Sequence, residues 1–254
     1  MNNPVLEVRN ICKKYGEIEV VSNVNFTVYQ GDIIGFIGPN GAGKSTSINM
    51  ITTLLEPDKG TIFFRNQDIL KQSDHFKRTL GVVPQELAIY EDLSAYENVQ
   101  FFCALYGIKG IELKARVKQA LEFVGLWERK KDSPLKFSGG MKRRLNIACA
   151  IAHGPELLIM DEPTVGIDPQ SRNKIMEAVN ILHQKGATII YTSHYMEEVE
   201  TLCNRIILID KGIIIEDLDK KTLKEKYVTM GFTSLEEIFL HLTGTELRDM
   251  EEGL

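Results

Sequence analysis

Cysteine is scarce and scattered in this sequence: Cys12, Cys103, Cys149 and Cys203 stand far apart, and no two form a C-x-x-C pair. That argues against a cysteine zinc site or a disulfide framework and fits a reducing compartment. No apolar run approaches the roughly 20 residues that a membrane-spanning helix needs. The chain opens Met1-Asn2-Asn3-Pro4, with no basic stretch ahead of an apolar one, so a secretion signal is not expected. An excess of one charge is missing too. The 30 Lys and Arg against 35 Asp and Glu give a net charge of −5, no general pull toward nucleic acid or anionic lipid. Internal repeats and low-complexity segments are absent. What remains is a globular composition, 43% hydrophobic and 26% charged over 254 residues, enough for one large domain or two lobes with a sizeable core. Such a chain is expected to be soluble by itself, and a membrane role would need a partner.

The first thirty residues are rich in β-branched types, with Leu6-Glu7-Val8, Ile18 to Val21 and Val24 to Val28 punctuated by Gly16 and Gly31. They read as antiparallel strands with one wet face. From about Gln85 to Pro134 the pattern turns to helix after helix. Ser94 to Glu97 is a capping box opening a helix toward Leu105. Leu113, Val117, Ala120, Leu121 and Val124 recur at helical spacing, and Gly125 closes that helix. Strand and helix alternate again from Leu157. Asp168 and Pro169 supply an N-cap and an N1 proline, and Ile206 to Glu216 reads as a hairpin around Lys211-Gly212. Ser234 to Glu237 caps a last amphipathic helix ending near Leu242. A helical lobe is therefore expected inside an α/β core.

The stretch that carries chemistry is Gly38-Pro39-Asn40-Gly41-Ala42-Gly43-Lys44-Ser45-Thr46, preceded by the apolar run Ile33 to Ile37. It fits G-x-x-x-x-G-K-[ST] at every fixed position, in the strand–loop–helix context the motif requires. Its glycines let backbone N–H groups point inward as an anion nest, and the following helix adds its positive end. Lys44 can reach the outer phosphates of a nucleotide, and the Ser45 hydroxyl can ligate Mg²⁺. A Gly-rich turn that merely reverses the chain would not need all of these positions.

A second signal lies downstream. Leu157 to Met160 is a continuous apolar run typical of a strand buried on both faces, and Asp161 and Glu162 follow it. Such a strand delivers its last residues to the crevice where ligands of open α/β sheets bind. Asp161 there suits Mg²⁺, and Glu162 suits a water attacking a γ-phosphate. A third signal, Ser138-Gly139-Gly140-Met141 ahead of a helix from Lys142 to about Ala152, offers a hydroxyl and free N–H groups to another anion.

Read in that order, the three motifs resemble the phosphate loop, LSGGQ signature and Walker B strand of ABC-type ATPases. The resemblance covers almost the whole chain. It implies an α/β fold: a P-loop NTPase core with a mixed sheet, an N-terminal antiparallel β subdomain and an inserted α-helical subdomain. In one domain over 1–254, the core would take 1–85 and 153–218, the helical part 86–152 and a helical tail 219–254. By the same resemblance Tyr15 stacks on adenine and Gln85 contacts Mg²⁺ and links the site to a membrane partner. Asp161 is the Walker B aspartate, Glu162 the catalytic glutamate, Asp168 the D-loop residue and His194 the γ-phosphate switch. Three positions depart from the pattern: Phe137 replaces the usual Leu, Met141 the usual Gln, and Val165 stands where a small Ser or Ala is common. Lys142, Arg143 and Arg144 oppose the helix dipole, which points to acidic neighbours and is better read as a solvated or cross-interface basic patch than as a nucleic-acid surface.

The resemblance further implies ATP and Mg²⁺ as ligands and a second ATPase protomer, identical or not, whose signature caps this chain's ATP. It also implies a multi-spanning permease at the cytoplasmic face of a membrane and no nucleic acid. Glu91 to Val99, Leu105-Tyr106-Gly107 and Ser234 to Gly244 resemble ABC-2-type exporters, so export is preferred over import. The alternative is a non-transport ABC-type ATPase acting on ribosomes or DNA. A GTPase is disfavoured, because Asn173-Lys174-Ile175-Met176 fails N-K-x-D.

Overall fold

The computed structural model describes residues 3–244. Residues 245–254 of the expected helical tail, and Met1 and Asn2, lie outside the described residues. In chain order the elements are β1 (Pro4–Tyr15), β2 (Ile18–Tyr29), β3 (Ile33–Ile37), α1 (Lys44–Ile51), β4 (Lys59–Phe64), β5 (Gln67–Asp68) and α2 (Ser73–Thr79). There follow β6 (Leu80–Val83), α3 (Ala95–Leu105), α4 (Gly110–Phe123), two single 3₁₀ turns, α5 (Gly139–Ile151), β7 (Leu157–Asp161) and α6 (Pro169–Gln184). The chain then continues through β8 (Thr188–Thr192), α7 (Met196–Leu202), β9 (Arg205–Asp210), β10 (Ile213–Asp219), α8 (Lys220–Val228) and α9 (Leu235–Thr243). Two compact units result: Arg78–Ile189 forms one, and the described residues on either side of it form the other. Among the described residues no helix is long and apolar enough to cross a membrane.

The flanking unit holds a four-stranded antiparallel sheet in the order β2-β1-β4-β5. Its two long strands are continuous where the sequence suggested breaks. Asn10 and Asn23 take left-handed φ values of 52° and 51°, and the register shifts between Val8 and Ile11. The Asn10 amide also donates to Asn23 Oδ1 at 2.7 Å. Asparagine tolerates that conformation better than a branched residue, so the strands bulge rather than end.

The same unit contributes the order β10-β9-β3 and residues 190–192 of β8, with β9 and β10 antiparallel and β3 and β9 parallel. Ile33, Ile34, Phe36 and Ile37 of β3 are all essentially inaccessible, each such side chain contributing about 2 kcal/mol. Gly35 in their midst is required by packing, because a Cβ there would lie 2.5 Å from Val199 Cγ1 on α7. The hairpin at Lys211-Gly212 has both residues at positive φ, 48° and 78°, as a tight two-residue turn demands.

In the Arg78–Ile189 unit, β6 and β7 pair in parallel, with Val83 opposite Met160. The helices carry the expected caps: the Ser94–Glu97 capping box opens α3, Asp168 caps α6, and Gly125 sits at φ 67° just past α4. Helix α5 starts at Gly139, three residues before the position expected from sequence. Two adjacent glycines are poor helix formers, but Ser138 caps this end through a bond from Met141 N to its Oγ at 3.3 Å.

Candidate functional site

In the flanking unit, the phosphate loop leaves the carboxyl end of β3 and enters α1 at Lys44. Gly41 and Gly43 take φ values of 73° and 97°, which only glycine adopts without strain. A side chain at Gly38 would meet the Ile209 carbonyl oxygen at 2.2 Å, and one at Gly43 the Val20 oxygen at 2.7 Å. Neither collision is with a movable side chain, so the loop is a cradle that a Cβ would fill. Lys44 is 8% exposed and donates to the carbonyls of Gly38 at 2.7 Å and Pro39 at 2.9 Å, which lays its ammonium back across the loop. Asn40, Gly41 and Ser45 are open to solvent. Tyr15, 41% exposed, ends β1. His194, also exposed, lies two residues past the end of β8, the neighbour of β3.

In the other unit, the parallel pairing of β6 and β7 brings Gln85 and the Asp161–Glu162 pair out at the same end of adjacent strands. Asp161 is partly exposed and Glu162 only 6% exposed. Glu162 stands at φ 46°. For a residue with a side chain that conformation costs about 1–2 kcal/mol, and such strain gathers at functional sites.

Ser138 to Met141 open α5, and the start of that helix packs on the start of α6. A Cβ at Gly140 would lie 2.1 Å from Ser171 Oγ and 3.6 Å from Asp168 Oδ2. Asp168 accepts from Ser171 N at 3.0 Å, and bonds from Ser171 hold its carboxyl below the usual carboxylate range. Phe137 is buried, with the Arg129 guanidinium over its ring at 5.6 Å.

The basic run after the signature is not the solvated patch that the sequence offered as one reading. Arg143 is 5% exposed and donates to the carbonyls of Pro84 at 2.8 Å and Gln85 at 2.6 Å. Arg144 bonds the Val124 carbonyl, and Lys142 pairs with Glu91 at 2.5 Å. Only that last contact is the acidic neighbour foreseen. Sequence reasoning also passed over Ser193 and Glu198 beside His194. Glu198 sits in the acidic run Glu197-Glu198, which resembles a solvated helix face, yet it is 1% exposed.

Each unit brings oxygen ligands of the kind Mg²⁺ prefers, the Ser45 hydroxyl in one and the Asp161 carboxylate in the other, and the glycine cradle suits a polyphosphate.

The family model described as ABC transporter matches residues 21–165. The chain is 48% identical over 241 residues to the linearmycin resistance ATP-binding protein LnrL of Bacillus subtilis, spanning 93% of this chain and 78% of that protein. It is 41% identical over 208 residues to the Nod factor export ATP-binding protein I of Cupriavidus metallidurans, covering 82% and 69%. Among solved structures it resembles a dimeric ATP-binding cassette in a post-hydrolysis state bound to ADP and Pi. That likeness has a TM-score of 0.75 at 27% identity, over 84% of this chain and 98% of that one.

Proposed function

The chain belongs to the ABC transporter family as an ATP-binding, ATP-hydrolysing subunit, and from that premise we propose that it is half of an ATP-closed, head-to-tail pair that drives export through a separate membrane-spanning permease. The observation that carries the hydrolytic reading is Glu162, buried and held at φ 46° directly after Asp161. A carboxylate fixed there is suited to take the proton of an attacking water. Tyr15 would stack on adenine, and Gly38, Pro39, Asn40, Gly41, Ala42, Gly43, Lys44, Ser45 and Thr46 would wrap the phosphates. Ser45, Gln85 and Asp161 would hold Mg²⁺, which supplies charge neutralisation to the phosphates. His194 would contact the γ-phosphate. Ser138, Gly139, Gly140 and Met141 would act on the ATP of the second protomer, with Asp168 at that seam.

An aromatic and aliphatic cluster just beyond Gln85 supports a protein partner for this unit. Leu87, Tyr90 and Phe101 are 40%, 49% and 40% exposed, and Tyr90 packs edge-on to Phe101 at 5.2 Å. Exposed aromatics of this kind mark interaction surfaces. A permease would carry the chain to the cytoplasmic face of a membrane. The tying-down of Arg143 and Arg144 by main-chain carbonyls speaks against a nucleic-acid surface there. Export follows the ABC-2-like stretches of the sequence and the Nod factor export relative named above. Affinity purification from solubilised membranes tests the proposal. A multi-spanning partner is the expected result; ribosomes or DNA in its place would sink it.

A further inference from the structure

The turn that presents His194 is held from both sides by buried polar groups. Ser193 Oγ donates to Glu198 Oε2 at 3.0 Å and accepts from Tyr195 N at 3.0 Å. Tyr191 OH donates to the same Glu198 oxygen at 2.8 Å. The Tyr195 carbonyl in turn accepts from Glu198 N at 3.0 Å. Tyr191, Ser193 and Glu198 are 0%, 3% and 1% exposed, while His194 between them is open to solvent. The last residues of β8, the turn and the first turn of α7 are therefore one hydrogen-bonded frame.

A buried carboxylate is a costly way to join a strand to a helix, since apolar side chains of similar size do so without desolvating a charge. What this one adds is direction. Both hydroxyls end on a single oxygen, and one of them also fixes the amide that follows His194. We propose that Glu198 and Ser193 are positioning residues for His194, clamping its backbone so that the imidazole is already aimed before ATP arrives. This rests on the reading of His194 as the γ-phosphate contact. Neither residue touches the nucleotide; they act through the histidine.

The test is Ser193→Ala and Glu198→Ala in the full chain, with Glu198→Gln as the conservative variant that keeps the accepting oxygen. Turnover, ATP affinity and the imidazole ¹H–¹⁵N spectrum of the five histidines are measured on each. Ser193→Ala and Glu198→Ala should each lower kcat about tenfold or more, the scale of a displaced catalytic group. ATP affinity should hold, and the His194 resonance should shift while those of His75, His153, His183 and His241 stay. Glu198→Gln should restore most of the turnover. An unmoved His194 resonance in both alanine variants, or a fall in affinity as large as that in kcat, overturns the proposal. A His194 resonance that moves while turnover holds would instead bring down the reading of His194 as a participant in hydrolysis, and the proposal with it.

Discussion

Arg143 holds the main-chain oxygen of Gln85 at 2.6 Å while its second terminal nitrogen holds that of Pro84 at 2.8 Å. Arg143 stands one turn beyond the Ser-Gly-Gly segment on α5, and Gln85 is the second residue past β6. The start of α5 and the exit of β6 are thus joined by two charge-assisted bonds. Burial pulls the guanidinium below its ordinary pKa, the direction expected for a cation moved out of water.

Arg143→Met should therefore do more than trim a surface cation. It removes two charge-assisted bonds to part-buried carbonyls, a loss of about 1–3 kcal/mol in all. Urea unfolding is expected to show that loss. ATP affinity, set by the phosphate loop in the other unit, should change little, whereas turnover should drop. A variant with wild-type stability and wild-type turnover would remove Arg143 from the account.

Gly140 is expected to be intolerant for a steric reason rather than a conformational one. Its φ is not positive, but a Cβ would meet Ser171 Oγ at 2.1 Å and Ser171 Cβ at 2.4 Å. Gly140→Ala should cost about 1–3 kcal/mol by overpacking. Ser171→Gly removes both colliding atoms, so the double variant should recover much of that loss in thermal unfolding. If it recovers nothing, the α5–α6 contact is not what constrains the glycine.

His153 makes stability depend on pH on the acid side. Its ring stacks on Tyr106 at 3.5 Å, Nε2 lies 3.1 Å from the Leu80 oxygen, and the residue is 7% exposed. Burial pushes its pKa down to about 4, with Arg116 pushing the same way and the Leu80 bond opposing. The unfolded chain, with an ordinary value near 6.5, takes up the proton first as pH falls. The stabilisation is therefore present above about pH 6.5 and lost as pH drops toward 4, by up to about 3 kcal/mol. Denaturation at pH 7.5 and at pH 5 measures it. His153→Phe should flatten the pH dependence; an unchanged slope would exclude this histidine as its source.

The parts of the site that were legible in the sequence are those fixed by contiguous residues. The phosphate loop announces itself because glycine is forced at Gly38, Gly41 and Gly43 by backbone contacts and by φ. The caps of α3, α6 and α9 were legible because capping chemistry is local to four residues. Helix α2 was not, since Phe76 is its only buried residue and leaves no periodicity to read. The early start of α5 was obscured because its first two residues are glycines, poor helix formers that the Ser138 cap nevertheless brings into the helix. Arg143 and Glu198 carry side chains that usually face water, and only their tertiary partners reveal that they do not.

In the proposed cycle, Glu162 releases an ATP-closed pair by promoting hydrolysis of its nucleotide. Light scattering of Glu162→Gln with MgATP, beside its rate of phosphate release, tests that role directly. Turnover should fall by roughly 10²–10⁴-fold, and a stable pair should appear only with ATP and be lost again on adding Ser138→Arg. A Glu162→Gln protein that hydrolyses ATP at close to the wild-type rate and stays a single protomer would contradict that role.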